Sequence, residues 1–202
     1  MTTLKTKTLN HRTALNICRA YDFARDQGNK INVYAVINLT KKSAKDEKDI
    51  FADIKRRYMS WLRYKRRQGI KPSTTFTAIW INVFENPDNG HFHANWSLHI
   101  PPEYIEEFSQ KLPLWVERSQ GDRGFDVKIK RLDGAYKSHA NYIIKGVDPA
   151  YAPYLHVQDI VSNQGTVLGR RATMSRSLNI EARRSVGWKK RRRPYIPNLK
   201  AA

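Results

Sequence analysis

Apolar positions along this chain change their period several times, and each change marks an element. Ala14, Ile17, Cys18, Tyr21 and Ala24 recur at helical spacing, which predicts a helix from about Arg12 to Arg25 closed by Gln27-Gly28-Asn29. The unbroken apolar run from Ile31 to Leu39 then reads as a strand buried on both faces. A long helix follows, roughly Lys45 to Gln68: Ile50, Ile54, Tyr58, Trp61, Leu62 and Tyr64 fall inward, while Lys55, Arg56, Arg57, Arg63, Lys65, Arg66 and Arg67 fall outward. Thr74 to Glu85 and His91 to Ile100 form a hairpin at the centre of a sheet. Pro102 opens a helix running to about Glu117, interrupted near Pro113. Alternation from Phe125 to Leu132 gives a further strand, and Gly134 precedes a helix from Ala135 to Lys145 capped by Gly146. No internal repeat is visible. This order predicts an α+β fold, a central antiparallel sheet with helices packed on one face and an open face left for a site.

The hairpin carries the first chemistry. Strand alternation sends His91 and His93 to the same side, where they can grip one metal ion, while Phe92 points into a core. A three-residue loop, Asp88-Asn89-Gly90, places Pro87 opposite His91 and Glu85 opposite His93, so that Glu85 joins both imidazoles. A two-residue Asn89-Gly90 turn would bring Asn86 and Asp88 to that face instead, leaving Asp88 as the rival third ligand. The longer loop is preferred because it sets Trp80 and Phe84 on the face of Phe92.

Composition narrows the partners. The 202 residues suit one domain with an appendage, and 40% hydrophobic residues suffice for a core. A formal net charge of +19 predicts an anionic polymer, nucleic acid first. No stretch is apolar enough to span a membrane and the opening residues lack a signal peptide's apolar core, so a cytoplasmic location is expected. The single cysteine, Cys18, excludes an internal disulfide framework and a multi-cysteine zinc site.

The last predicted helix adds the second chemical element. Tyr142 and Lys145 share a helical face, with His139 one turn earlier, and a phenol beside a cation and a metal site is a suitable nucleophile toward a phosphodiester. Tyr136 lies well over a turn before Tyr142, so Tyr142 is read as the sole nucleophile. His99 is too far along its strand from His93 to share an ion. His11 and His156 read as surface or hydrogen-bonding residues.

Glu85-Asn86-Pro87-Asp88-Asn89-Gly90-His91-Phe92-His93, followed downstream by Tyr142-Ile143-Ile144-Lys145-Gly146, resembles the HUH endonucleases, in particular the single-tyrosine replication initiators of rolling-circle plasmids and phages. Val36-Ile37-Asn38-Leu39-Thr40 occupies the place of that family's first strand motif. The resemblance spans roughly Ile31 to Gly146 and implies a sheet of about five antiparallel strands, akin to the RRM-like palm. It further implies His91, His93 and Glu85 as ligands of a divalent metal ion, Mg2+ or Mn2+, with no small-molecule cofactor. Tyr142 would attack the scissile phosphate, leaving a 3′-hydroxyl and a 5′-phosphotyrosyl link, with Lys145 orienting it or stabilising charge. The implied substrate is single-stranded DNA or origin hairpin DNA, with a host helicase and polymerase as partners and no membrane. With no phosphate-binding Gly-x-x-x-x-Gly-Lys loop in these residues, an attached helicase motor is not expected. An HUH-type transposase or relaxase is the neighbouring enzymatic reading, and a non-catalytic nucleic-acid-binding module the other alternative.

Residues 1–150 are therefore read as the nuclease domain and 151–202 as a basic, partly disordered extension. Arg170, Arg171, Arg176, Arg183, Arg184, Lys189, Lys190, Arg191, Arg192 and Arg193 predict a phosphate clamp there, with Trp188 and Tyr195 available to stack on bases.

Overall fold

A computed structural model of the chain describes residues 4–39, 46–68, 77–87, 92–121, 127–133 and 136–190. In chain order the elements are β1 (Lys5–Thr6), α1 (His11–Asp26), β2 (Val33–Asn38), α2 (Glu47–Arg67), β3 (Ile79–Glu85), β4 (His93–His99) and α3 (Ile105–Gln120). Then come β5 (Val127–Arg131), α4 (Tyr136–Tyr142), α5 (Ala152–Leu155), β6 (Val167–Leu168), β7 (Ala172–Met174) and α6 (Ile180–Ser185). The fold is α+β, built on a five-stranded antiparallel sheet in the order β5-β2-β4-β3-β7.

Local chemistry sets the helix ends. The Asn10 side chain accepts from Thr13 N at 2.8 Å to start α1, and Asp46 accepts from Lys48 N at 2.7 Å to start α2. Glu47 and Asp49 in the first turn of α2, with Lys65, Arg66 and Arg67 in its last, match the helix dipole at both ends. Gly121 adopts φ 74° to terminate α3. α3 runs unbroken through Pro113, contrary to the expected interruption. Proline removes one donor and leaves the turns on either side intact, and Phe108, Leu112, Trp115 and Val116, buried on both sides of it, hold the helix on its course.

α2 and α3 pack on one face of the sheet, where Trp96 is fully buried with Phe51, Tyr58 and Phe108 around it at ring separations of 5.4, 5.2 and 6.3 Å. Burial of these aromatic side chains, with the aliphatic ones around them, drives packing on that side. The opposite face is not bare. Tyr34, Ile79, Ile81 and Val83 meet α1, α4 and residues from the C-terminal segment in a second core, so the site lies at the end of a covered face.

The expected boundary at 150 is corrected. β7 pairs with β3 as an edge strand, Ile81 opposite Met174 and Val83 opposite Ala172, and β6 pairs with β1. Residues after Gly146 thus complete the sheet as far as they are described. Among the described residues no helix is long and apolar enough to cross a membrane.

Candidate active site

Pairing of β3 with β4 sets Glu85 directly opposite His93 and Phe84 opposite Ala94, the register of the three-residue loop. Phe84 in the core and Phe92 at its edge pack against each other with tilted rings 5.4 Å apart. On the other face His93 Nε2 and Glu85 Oε2 stand 2.8 Å apart. Asn86 leaves the ladder: its N–H donates to Gln164 O at 2.9 Å and its Nδ2 to Thr166 O at 2.9 Å. Residues 88–91, and with them His91 and Asp88, lie outside the described residues.

Lys145 links the carboxylate to the phenol. Its Nζ lies 3.1 Å from Glu85 Oε2, donates to the Tyr142 hydroxyl at 3.0 Å, and sits 4.3 Å from the centre of the Tyr142 ring. Glu85 is buried, whereas Tyr142 is 42% exposed. The helix carrying them is shorter than expected, because α4 ends at Tyr142 and Lys145 follows in a series of turns. Ile143 and Ile144 are both buried, and Ile144 N bonds three residues back, to Asn141 O at 3.2 Å, where the helix gives way to turns. Lys145 N then bonds to Tyr142 O at 3.1 Å and Gly146 O accepts from Leu9 N at 2.8 Å.

Burial alone would raise the Glu85 pKa, but the hydrogen bond from His93 and the Lys145 charge outweigh it and hold the carboxyl below its ordinary value. Burial likewise pulls Lys145 down, and Glu85 with Tyr142 more than restores it, so the ammonium stays protonated. Lys145 is therefore a donor at this site, not a base.

Gln164 and Tyr34 carried no signal in the sequence, whereas His139 was placed there by its helical spacing. With its amide nitrogen toward the site, Gln164 donates to Glu85 Oε2 at 2.7 Å and Oε1 at 3.3 Å, while its oxygen accepts from Ser162 Oγ at 2.6 Å. Tyr34 meets the Tyr142 ring edge-on at 6.2 Å and hydrogen-bonds Asn95. His139 stacks on Tyr142 at 6.1 Å and its Nε2 is 3.1 Å from Ser97 Oγ. Burial, helped by the Lys130 charge, lowers its pKa to about 4, so the imidazole is neutral at physiological pH.

The expected phosphate clamp divides into two sets. Arg171 is 3% exposed, and its guanidinium donates to the carbonyls of Phe84 and Gln164 at 3.2 Å, of Thr6 at 2.8 Å, of Lys7 at 3.0 Å and of Gly165. It is a strut that fixes Gln164 and Gly165 beside Glu85, not a phosphate ligand. Arg183 is also buried and bonds to Asn16. Arg170, Arg176, Arg184 and Lys189 are exposed, Lys190 pairs with Asp22 at 3.1 Å, and residues 191–193 lie outside the described set. Trp188 packs edge-on against Phe23 at 5.4 Å and donates to Asp26 at 3.1 Å, so its indole is committed to α1.

Imidazole and carboxylate suit a divalent cation, and donor atoms 2.8 Å apart match neighbouring ligands of an octahedral ion with bonds of about 2.1 Å. Among the described residues no group of three His, Cys, Asp or Glu stands together, and His91 is outside them. No family model, curated protein or solved structure matches this chain.

Proposed function

We propose that this chain is a metal-dependent DNA endonuclease that nicks and rejoins single strands through a covalent tyrosine link, in the manner of the HUH replication initiators it resembles, and so initiates rolling-circle replication. One observation supports this above the others: a single ammonium, Lys145, held between the buried Glu85 carboxylate and the accessible Tyr142 phenol, with His93 on the same carboxylate. Glu85 and His93, joined by His91, would hold Mg2+ or Mn2+, and the bound ion supplies polarisation of the phosphate oxygens.

The chain's own residues do the rest. The Tyr142 oxygen forms a bond to phosphorus, its proton passing to solvent, as the bond from phosphorus to the 3′-oxygen breaks and that oxygen takes up a proton. Lys145 stabilises negative charge on the phenolic oxygen as it develops. Exposure of Tyr142 lets a strand reach it, and His139 and Tyr34 fix its ring. Storing the phosphodiester as a phosphotyrosine permits rejoining by the reverse attack.

Incubation with pools of single-stranded oligonucleotides and Mn2+, followed by denaturing electrophoresis, should reveal a protein-DNA adduct that Tyr142→Phe and His93→Ala each abolish, with DNA affinity retained. Salt-sensitive binding without an adduct, across all pools and ions, would establish the non-catalytic module instead.

A further inference from the structure

Arg12, Asn16 and Arg19 form one stripe on α1, with the two arginines about 10 Å apart along the axis. Between this stripe and α6 runs a groove of about 710 Å3, whose far side carries Arg184 and Lys189. Among the described residues no carboxylate lines it. Its wall is built, not draped. Asn179 caps α6 by accepting from Ala182 N at 2.8 Å, and the buried Arg183 donates to Asn16 Oδ1 at 3.1 Å, locking α6 to α1. Beyond α6, Trp188 is tied to Asp26 and Lys190 to Asp22. Lys189, between these two anchors, remains exposed on the groove. Burial, and then repulsion from Arg19, hold the Arg183 pKa down. Such crowding of cations is relieved when an anion enters.

We propose that this groove binds the sugar-phosphate backbone of single-stranded nucleic acid, as a docking channel distinct from the Glu85-Tyr142 site. Its role in holding the strand that flanks the scissile phosphate rests on the nuclease reading, but its affinity for the strand does not. Arg12, Arg19, Arg184 and Lys189 present separated positive charges along the concavity, and beside these cations the apolar side chains lining it among the described residues are Ile180 and Trp188, the second tied to Asp26.

The test uses the whole chain and a fluorescein-labelled oligothymidylate, with binding followed by anisotropy over a series of KCl concentrations. Single-stranded binding loses about 0.7 in the log-log salt slope per phosphate contact removed. Replacing Arg12, Arg19 and Lys189 together by Gln should therefore reduce the slope by about 2 and weaken binding at low salt by roughly tenfold or more. Circular dichroism checks that these surface variants fold. An unchanged slope and affinity overturn the proposal, as does tighter binding of a duplex of equal length with the same loss in the variant. Adduct formation by the wild-type chain with no slope change would sink the groove alone. Loss of slope in a protein that forms no adduct would sink the nuclease reading alone.

Discussion

Lys145→Met removes the ammonium 3.1 Å from Glu85 while keeping an apolar stem of similar length. Side-chain exposures of 2% for Glu85 and 13% for Lys145 leave little solvent screening between them. Removing one partner of a buried pair costs about 3–5 kcal/mol when the survivor is left uncompensated. His93 and Gln164 still hold the carboxylate, so the lower end, about 3 kcal/mol, is expected. At about 2–4 °C per kcal/mol for a chain of this size, Tm should fall by roughly 6–12 °C. Glu85→Gln removes the other charge, and the double variant should cost about 1–2 kcal/mol less than the sum of the two. Urea unfolding followed through the 5 tryptophans measures all four corners of the cycle. The pH window has a definite sign. Glu85 is held below its ordinary 4.5, so its contribution is present above 4.5 and fades as pH falls through the lower folded value. Lys145 is raised above 10.5, so its contribution is present below 10.5 and fades as pH climbs past the higher folded value. Additivity within about 0.5 kcal/mol at neutral pH would refute the coupling.

Gly165 has φ 65°, and a Cβ there would come 1.5 Å from Asn86 O, so Gly165→Ala must displace the backbone bridge that carries Gln164. A cost of roughly 3 kcal/mol is expected, with faster hydrogen exchange at the Asn86 amide; wild-type stability would contradict it. His139, lowered to about 4, favours the fold when neutral. Its contribution is present above 6.5 and is lost as pH falls from there toward 4, by roughly 3 kcal/mol, which His139→Gln should flatten. An NMR titration of this imidazole with a midpoint above 6 would overturn that account.

The register of the hairpin was legible because bulky Phe84 and Phe92 had to share a face, which leaves Glu85 and His93 on the other. α1 and α2 were legible from apolar positions at helical period, and α3 from the prolines that open it. The end of α4 was not, since Tyr142-Ile143-Ile144-Lys145 is compatible with a helix, and the Leu9–Val147 bridge into which the chain runs next is a long-range pairing. Arg170-Arg171 reads as two equivalent cations. What separates them is carbonyl groups at residues 6, 7, 84, 164 and 165, brought together only by the tertiary fold. β7, three residues long, has too short a run for alternation to be seen.

The Arg171 strut has a kinetic consequence. A guanidinium that bonds to the carbonyls of Thr6 and Lys7 finds those partners only after a loop of more than a hundred and sixty residues has closed. Folding should accordingly be slow and late to commit on this side. A ribosome-tethered chain that has not yet released this arginine would display Tyr142 while the carboxylate opposite still lacks its amide donor and its lock. Assembly of this side-chain cluster would then wait until the chain through Arg171 has left the ribosome.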